Sequence, residues 1–163
     1  MIFWIEAAVL CALFTLMILS TCGKGPLFWI DDYPPAIRQR CVQLGLVSAD
    51  RPALPPAVLA RKAIACLAAA VLFGLMLVYI NGLQTFWQGA LTAYGLWLVV
   101  DWYDAFVIDC LWVCHSKRFL IPGTEDLVSA YHDYGFHIKM SGIGMVLGLP
   151  VCLLTGFFVW VFA

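Results

Sequence analysis

The chain has 163 residues, 64% of them hydrophobic and only 12% charged. A soluble domain has roughly 45–50% apolar and about 25% charged residues, so this composition excludes an ordinary soluble globule and points to lipid as the solvent. A net charge of −1 leaves no basic excess for nucleic-acid binding.

These numbers predict an all-α fold, a polytopic membrane protein built as one four-helix transmembrane bundle over residues 1–163. A spanning helix needs roughly 20 mostly apolar residues. The first such segment covers residues 2–21. No Lys or Arg precedes it, and the following Cys22-Gly23-Lys24-Gly25-Pro26 lacks the small-x-small spacing of a cleavage site. It therefore reads as a retained helix and not as a signal peptide. Glu6, near its outer end, is expected to reach the lipid headgroups.

A first link follows over residues 22–62. Within it Ala36–Leu46 reads as a short helix, with Pro34-Pro35 at its start and Gly45 near its end. Ile37, Cys41 and Leu44 recur at helical spacing, which predicts an interfacial helix lying on the membrane surface. Pro52, Pro55 and Pro56 then break the chain, and the second span covers 63–80 on a helix starting near Pro55-Pro56. The hairpin Asn81-Gly82-Leu83-Gln84-Thr85 leads to the third span, 86–108, whose helix can continue to about His115.

The second link covers 109–139. Pro122-Gly123-Thr124-Glu125-Asp126 reads as a helix start, with Thr124 as N-cap and two acids in the first turn to complement the helix dipole. That helix is expected to run through Tyr131, His132, Asp133, Tyr134 and His137, and to lead into the fourth span, 140–162. Gly144 and Gly148 form a Gly-x-x-x-Gly pair, which permits close approach of a helix of this chain or of a second copy or membrane partner. Pro150 is expected to kink this span.

All nine Lys and Arg residues lie in the two links: Lys24, Arg38, Arg40, Arg51, Arg61 and Lys62 in the first, and Lys117, Arg118 and Lys139 in the second. Neither terminus nor the hairpin carries one. The positive-inside rule then places both links in the cytoplasm and both termini outside, as a multi-pass protein of the cell inner (plasma) membrane; the pattern suits a bacterial inner membrane.

Three acids interrupt the third span: Asp101, Asp104 and Asp109. Each costs roughly 2.5–3.5 kcal/mol at a helix centre, so such acids serve a function or face a polar interior. If lipid begins near Phe86, Asp101 lies about 22 Å along the helix at ~1.5 Å per residue, in the cytoplasmic half of the bilayer. At about 100° per residue, Asp101, Asp104, Ile108, Trp112 and His115 share a stripe. After Thr124, the residues Asp126, Ala130, Asp133 and His137 share another, and Asp133 with His137 forms an i,i+4 pair.

Carboxylate beside imidazole is the composition of an acid–base couple or of a Zn or Fe site. The candidate catalytic residues are therefore Asp101, Asp104, Asp133 and His137. The candidate ligands of a divalent metal are Asp101, Asp104, His115, Asp126, Asp133 and His137.

Known motifs narrow this little. Asp-x-x-Asp on a membrane helix is also the shape of Mg-diphosphate sites in intramembrane prenyltransferases and lipid alcohol phosphotransferases. The phosphotransferase pattern, however, needs Gly and Ala-Arg after the second Asp, and Asp104 is followed by Ala105-Phe106-Val107-Ile108. The seven cysteines include no Cys-x-x-Cys pair, which excludes quinone-linked disulfide chemistry, and no histidine lies inside a span to hold haem.

Three readings of function follow. The first is a membrane-embedded enzyme with a cytoplasm-facing acidic and histidine site, acting on an amphiphilic substrate. The second is a non-catalytic accessory or assembly subunit of a membrane complex. The third is a cation- or proton-coupled transporter using Asp101 and Asp104.

Overall fold

The computed structural model describes residues 2–50 and 53–163; the break expected at Pro52 lies outside the described residues. The described residues hold helices and connecting turns and no strand. Six α-helices run in chain order: α1 (Ile2–Thr21), α2 (Pro35–Gln43), α3 (Pro56–Tyr79), α4 (Phe86–Tyr103), α5 (Val128–Tyr131) and α6 (Tyr134–Phe162). The chain after α4 continues as a π-helix over Asp104–Val113.

Three helices, α1, α3 and α6, are long and apolar enough to cross a membrane. The segment expected as a further span is absent from that set. Its α-helix, α4, is long enough at 18 residues but not apolar enough, because Gln88, Thr92 and Asp101 interrupt it.

The chain divides into two compact units. One comprises Met1–Val9, Ala53–Asp101 and Gly142–Ala163; the other comprises Leu10–Pro52 and Trp102–Ser141. In the first unit the helices meet through small residues, which let backbones approach within van der Waals contact. A Cβ added at Gly156 would lie 2.6 Å from the Phe86 carbonyl oxygen and 2.9 Å from the Ala90 nitrogen. One added at Gly89 would lie 2.6 Å from Val159 Cγ2. Leu77, Ala93, Cys152 and Val159 form the buried centre of this packing.

The Gly144–Gly148 face of α6 is filled within the same unit. Trp97 Nε1 donates to the Gly144 carbonyl at 3.1 Å, and side chains at Gly144 and Gly148 would overlap Asp101 and Trp97 respectively. Glu6 accepts a hydrogen bond from Asn81 Nδ2 at 3.1 Å.

In the second unit, the two links fold into one core. Tyr33, Ile37, Cys41, Phe119, Ile121 and Tyr131 are buried together. Helix α2 starts at Pro35, whose fixed φ suits a first turn, and stops at Gly45 (φ +70°). There Leu46 N–H bonds to the Cys41 carbonyl and Gly45 N–H to that of Val42, which satisfies two terminal carbonyls. The face expected to rest on the membrane is used inside the protein: Ile37 and Cys41 are each 0% exposed.

Polar bonds fix this core. Tyr33 Oη donates to the Phe119 carbonyl at 2.7 Å. Tyr131 Oη accepts from Ile121 N–H at 3.0 Å and lies 2.7 Å from Thr124 Oγ1, which itself donates to the Ile121 carbonyl. Thr124 does occupy the expected N-cap position, ahead of Glu125 and Asp126, but its side chain makes no capping bond and serves as a buried strut of the turn. Arg40 and Asp126 add a 2.7 Å ion pair between the links.

Candidate functional site

The site lies in the second unit, where the π-helix and the first turn of α6 each supply one group. In a π-helix the bonds run i→i+5, as in Cys114 N–H to the Asp109 carbonyl at 2.9 Å. This winding changes which side chains share a face. On an α-helix Asp104 and Asp109 stand about 140° apart. With i→i+5 bonding, Asp109 lies about one turn beyond Asp104, and His115 falls after the π-helix, which ends at Val113.

Helix α6 begins at Tyr134 because Asp133 caps it. Asp133 Oδ1 accepts from Phe136 N–H at 3.0 Å, the bond an N-cap side chain makes to the third residue of the helix. The helix expected from Thr124 is thus broken at His132–Asp133, and the stripe Asp126–Ala130–Asp133–His137 does not exist as one helical face. His137 falls in the first turn of α6 and is 6% exposed.

The imidazole of His137 meets Asp109 and not Asp133: Nδ1 lies 2.9 Å from Asp109 Oδ2. A carboxylate on Nδ1 favours the tautomer with its proton there, leaving the Nε2 lone pair to accept one. Asp32 completes the electrostatic setting. Although its side chain is exposed, partial desolvation raises its carboxyl above the usual aspartate value, as do the negative charges of Asp109 and Asp31, while His137 opposes the shift.

Cys114 is buried beside this group. Desolvation, followed by Cys110, Asp109 and Asp133, pushes its thiol up to about 11, so it remains a thiol at neutral pH and offers no nucleophile.

The other candidates stand in separate settings. His115 Nε2 lies 3.0 Å from Tyr134 Oη, with the His132 ring centred 4.9 Å from that of His115. Asp126 pairs with Arg40. Asp101 lies against Gly144 in the first unit. Asp104 opens the π-helix.

Among the described residues, no three of His, Cys, Asp and Glu come together in a way that would hold a metal ion. The six candidate ligands form no such group among the described residues. What the fold does bring together is a carboxylate-oriented imidazole, the composition of a general base.

Sequence reasoning counts Asp109 among the acids of the third span without assigning it to the site, and gives Asp32, within the first link, no role. Neither has a sequence signal of its own, since Asp109 depends on the π winding and Asp32 on a long-range contact.

No family model matches the chain, and neither the curated proteins nor the solved structures contain a match to it. Fold and site together define an all-helical protein with three helices able to cross a membrane and a part-buried Asp–His pair in the unit formed by its links.

Proposed function

We propose that this chain is a multi-pass protein of the inner (plasma) membrane. In this reading α4 and the π-helix form a fourth span, both termini lie outside and both links lie in the cytoplasm. The Asp109–His137 pair is the acid–base centre of a membrane-embedded enzyme acting on an amphiphilic substrate. His137 Nε2 takes a proton from a substrate hydroxyl or from water, and Asp109 holds the ring and stabilises the imidazolium formed. The reaction class is transfer or hydrolysis at a lipid headgroup.

The observation that carries this reading is the 2.9 Å contact between a nearly buried imidazole and a carboxylate. A buried imidazole is costly unless it is hydrogen-bonded, and Asp109 supplies that partner on Nδ1. Support for the topology comes from the nine cationic residues, all in the two links. Continuation of α4 into the π-helix also gives Phe86–Val113 the length of a span.

The test is lipid profiling by liquid chromatography and mass spectrometry. Purified wild type and His137→Ala, each in nanodiscs, are incubated with a total lipid extract. A species consumed and a product formed only with wild type is the expected result. Identical profiles from two folded proteins would remove the enzyme reading and leave the accessory-subunit reading in its place.

A further inference from the structure

The first half of α3 is largely uncovered. From Ala53 to Ala69 every residue is exposed except Val58, which is half-buried, and Leu59, Ile64 and Leu67 are among the large apolar side chains left uncovered. The second half of the same helix is different: Ala70, Gly74 and Leu77 are buried at helical spacing.

The exposed half carries two charges, Arg61 and Lys62, both cationic and both exposed, with no acid anywhere in α3. Arg61 stands 19 residues before Ile80, or about 28 Å at ~1.5 Å per residue, close to the ~30 Å thickness of a hydrocarbon core. With Ile80 at one boundary, the two cations sit at the other, at the depth of lipid phosphates. At about 100° per residue Arg61 and Lys62 diverge by one step, and Ala65, Ala69 and Leu72 run along the face between them.

We infer that Arg61 and Lys62 bind the headgroup of an anionic phospholipid, whose acyl chains lie along α3 past Ala65, Ala69 and Leu72. Charge selects this occupant over a second copy of the chain. A twofold contact between parallel copies through this face would bring Arg61 and Lys62 against their own equivalents, with no acid on α3 to offset them. A phosphate bridging the two side chains satisfies both, and an apolar surface directly below suits acyl chains. The inference rests on α3 crossing the bilayer and is independent of the Asp109–His137 centre.

The test titrates the full-length protein in detergent with phosphatidylglycerol or phosphatidylcholine and counts bound lipid by native mass spectrometry. Wild type is compared with Arg61→Gln/Lys62→Gln and, as a control, with Lys117→Gln/Arg118→Gln. Wild type and control should retain phosphatidylglycerol over phosphatidylcholine. The Arg61→Gln/Lys62→Gln protein should lose on the order of thirtyfold in affinity, for two cations at roughly 1 kcal/mol each.

Equal retention of the two lipids, or equal losses in the two variants, would overturn the inference. So would a photoreactive amino acid at position 67 that crosslinks in membranes to a polypeptide and not to lipid. Failure here with His137-dependent turnover intact would leave the proposed function standing.

Discussion

Replacing Ile37 with Ala tests whether the two links form one folded unit. Ile37 has no exposed surface and packs with Tyr33, Cys41, Phe119, Ile121 and Tyr131. Truncating a fully buried Ile to Ala costs about 2–5 kcal/mol, from lost apolar burial and the cavity left behind. At about 1.4 kcal/mol per decade, that raises the fraction of molecules with the unit open by roughly thirtyfold to several thousandfold. Hydrogen exchange of the protein in nanodiscs reads this directly. Protection should fall together at the amides of α2 and at Ile121, whose N–H is held by Tyr131 Oη 3.0 Å away. Leu46→Ala is the control, since Leu46 is largely exposed. If Ile37→Ala exchanges no faster than Leu46→Ala, or if only α2 responds, then α2 is not packed on the second link and the reasoning fails.

Other consequences follow from single contacts. Gly156→Ala should lower the thermal unfolding midpoint in detergent, because its Cβ would meet backbone atoms of Phe86 and Ala90 that cannot turn aside; overpacking of this kind costs about 1–3 kcal/mol. Gly142→Ala, where nothing lies within 4 Å, should not lower the midpoint, and the better helix propensity of Ala should raise it slightly. Asp32→Asn should stabilise the second unit at neutral pH. A carboxyl whose folded value is raised binds its proton more tightly folded than unfolded, so its ionisation works against the fold as pH rises through and beyond that value. The gain should vanish below the ordinary aspartate range near ~3.9, and a pH series of urea titrations shows whether it does. Asp133→Ala should fray the start of α6 by about 0.5–2 kcal/mol, and Asp133→Asn or Asp133→Ser should restore it, as read from exchange at Phe136.

The apolar helices are legible in the sequence because their signals are local. The mostly apolar 20-residue segment Ile2–Thr21, a proline entry at Pro56 and a glycine exit at Gly45 each follow from a few adjacent residues. What is not legible depends on distant partners. The spacing of Ile37 and Cys41 correctly marks an apolar face but carries no information on whether lipid or Phe119 covers it. Asp133 reads as part of a helix because its neighbours have helical character, whereas its short carboxylate bonds more favourably to Phe136 N–H and starts a new helix. The π winding after Tyr103 has no composition signal, so α-helical spacing leaves Asp109 off the acidic stripe and hides its contact with His137. Spacing singles out Gly144 and Gly148, while Gly156 and Gly89, which lie in different helices, make the tightest backbone approach.

The central claim is that Asp109 and His137 act as one acid–base unit, and a double-mutant cycle on turnover tests it most directly. Rates are measured in nanodiscs for wild type, Asp109→Ala, His137→Ala and the double variant, using the lipid that profiling shows to be consumed. If Asp109 acts only by orienting and charging His137, its removal costs nothing further once the imidazole is gone, and the double variant is as slow as His137→Ala. Losses that multiply, so that the double variant falls by the product of the two single effects, would show two independent residues and contradict the account.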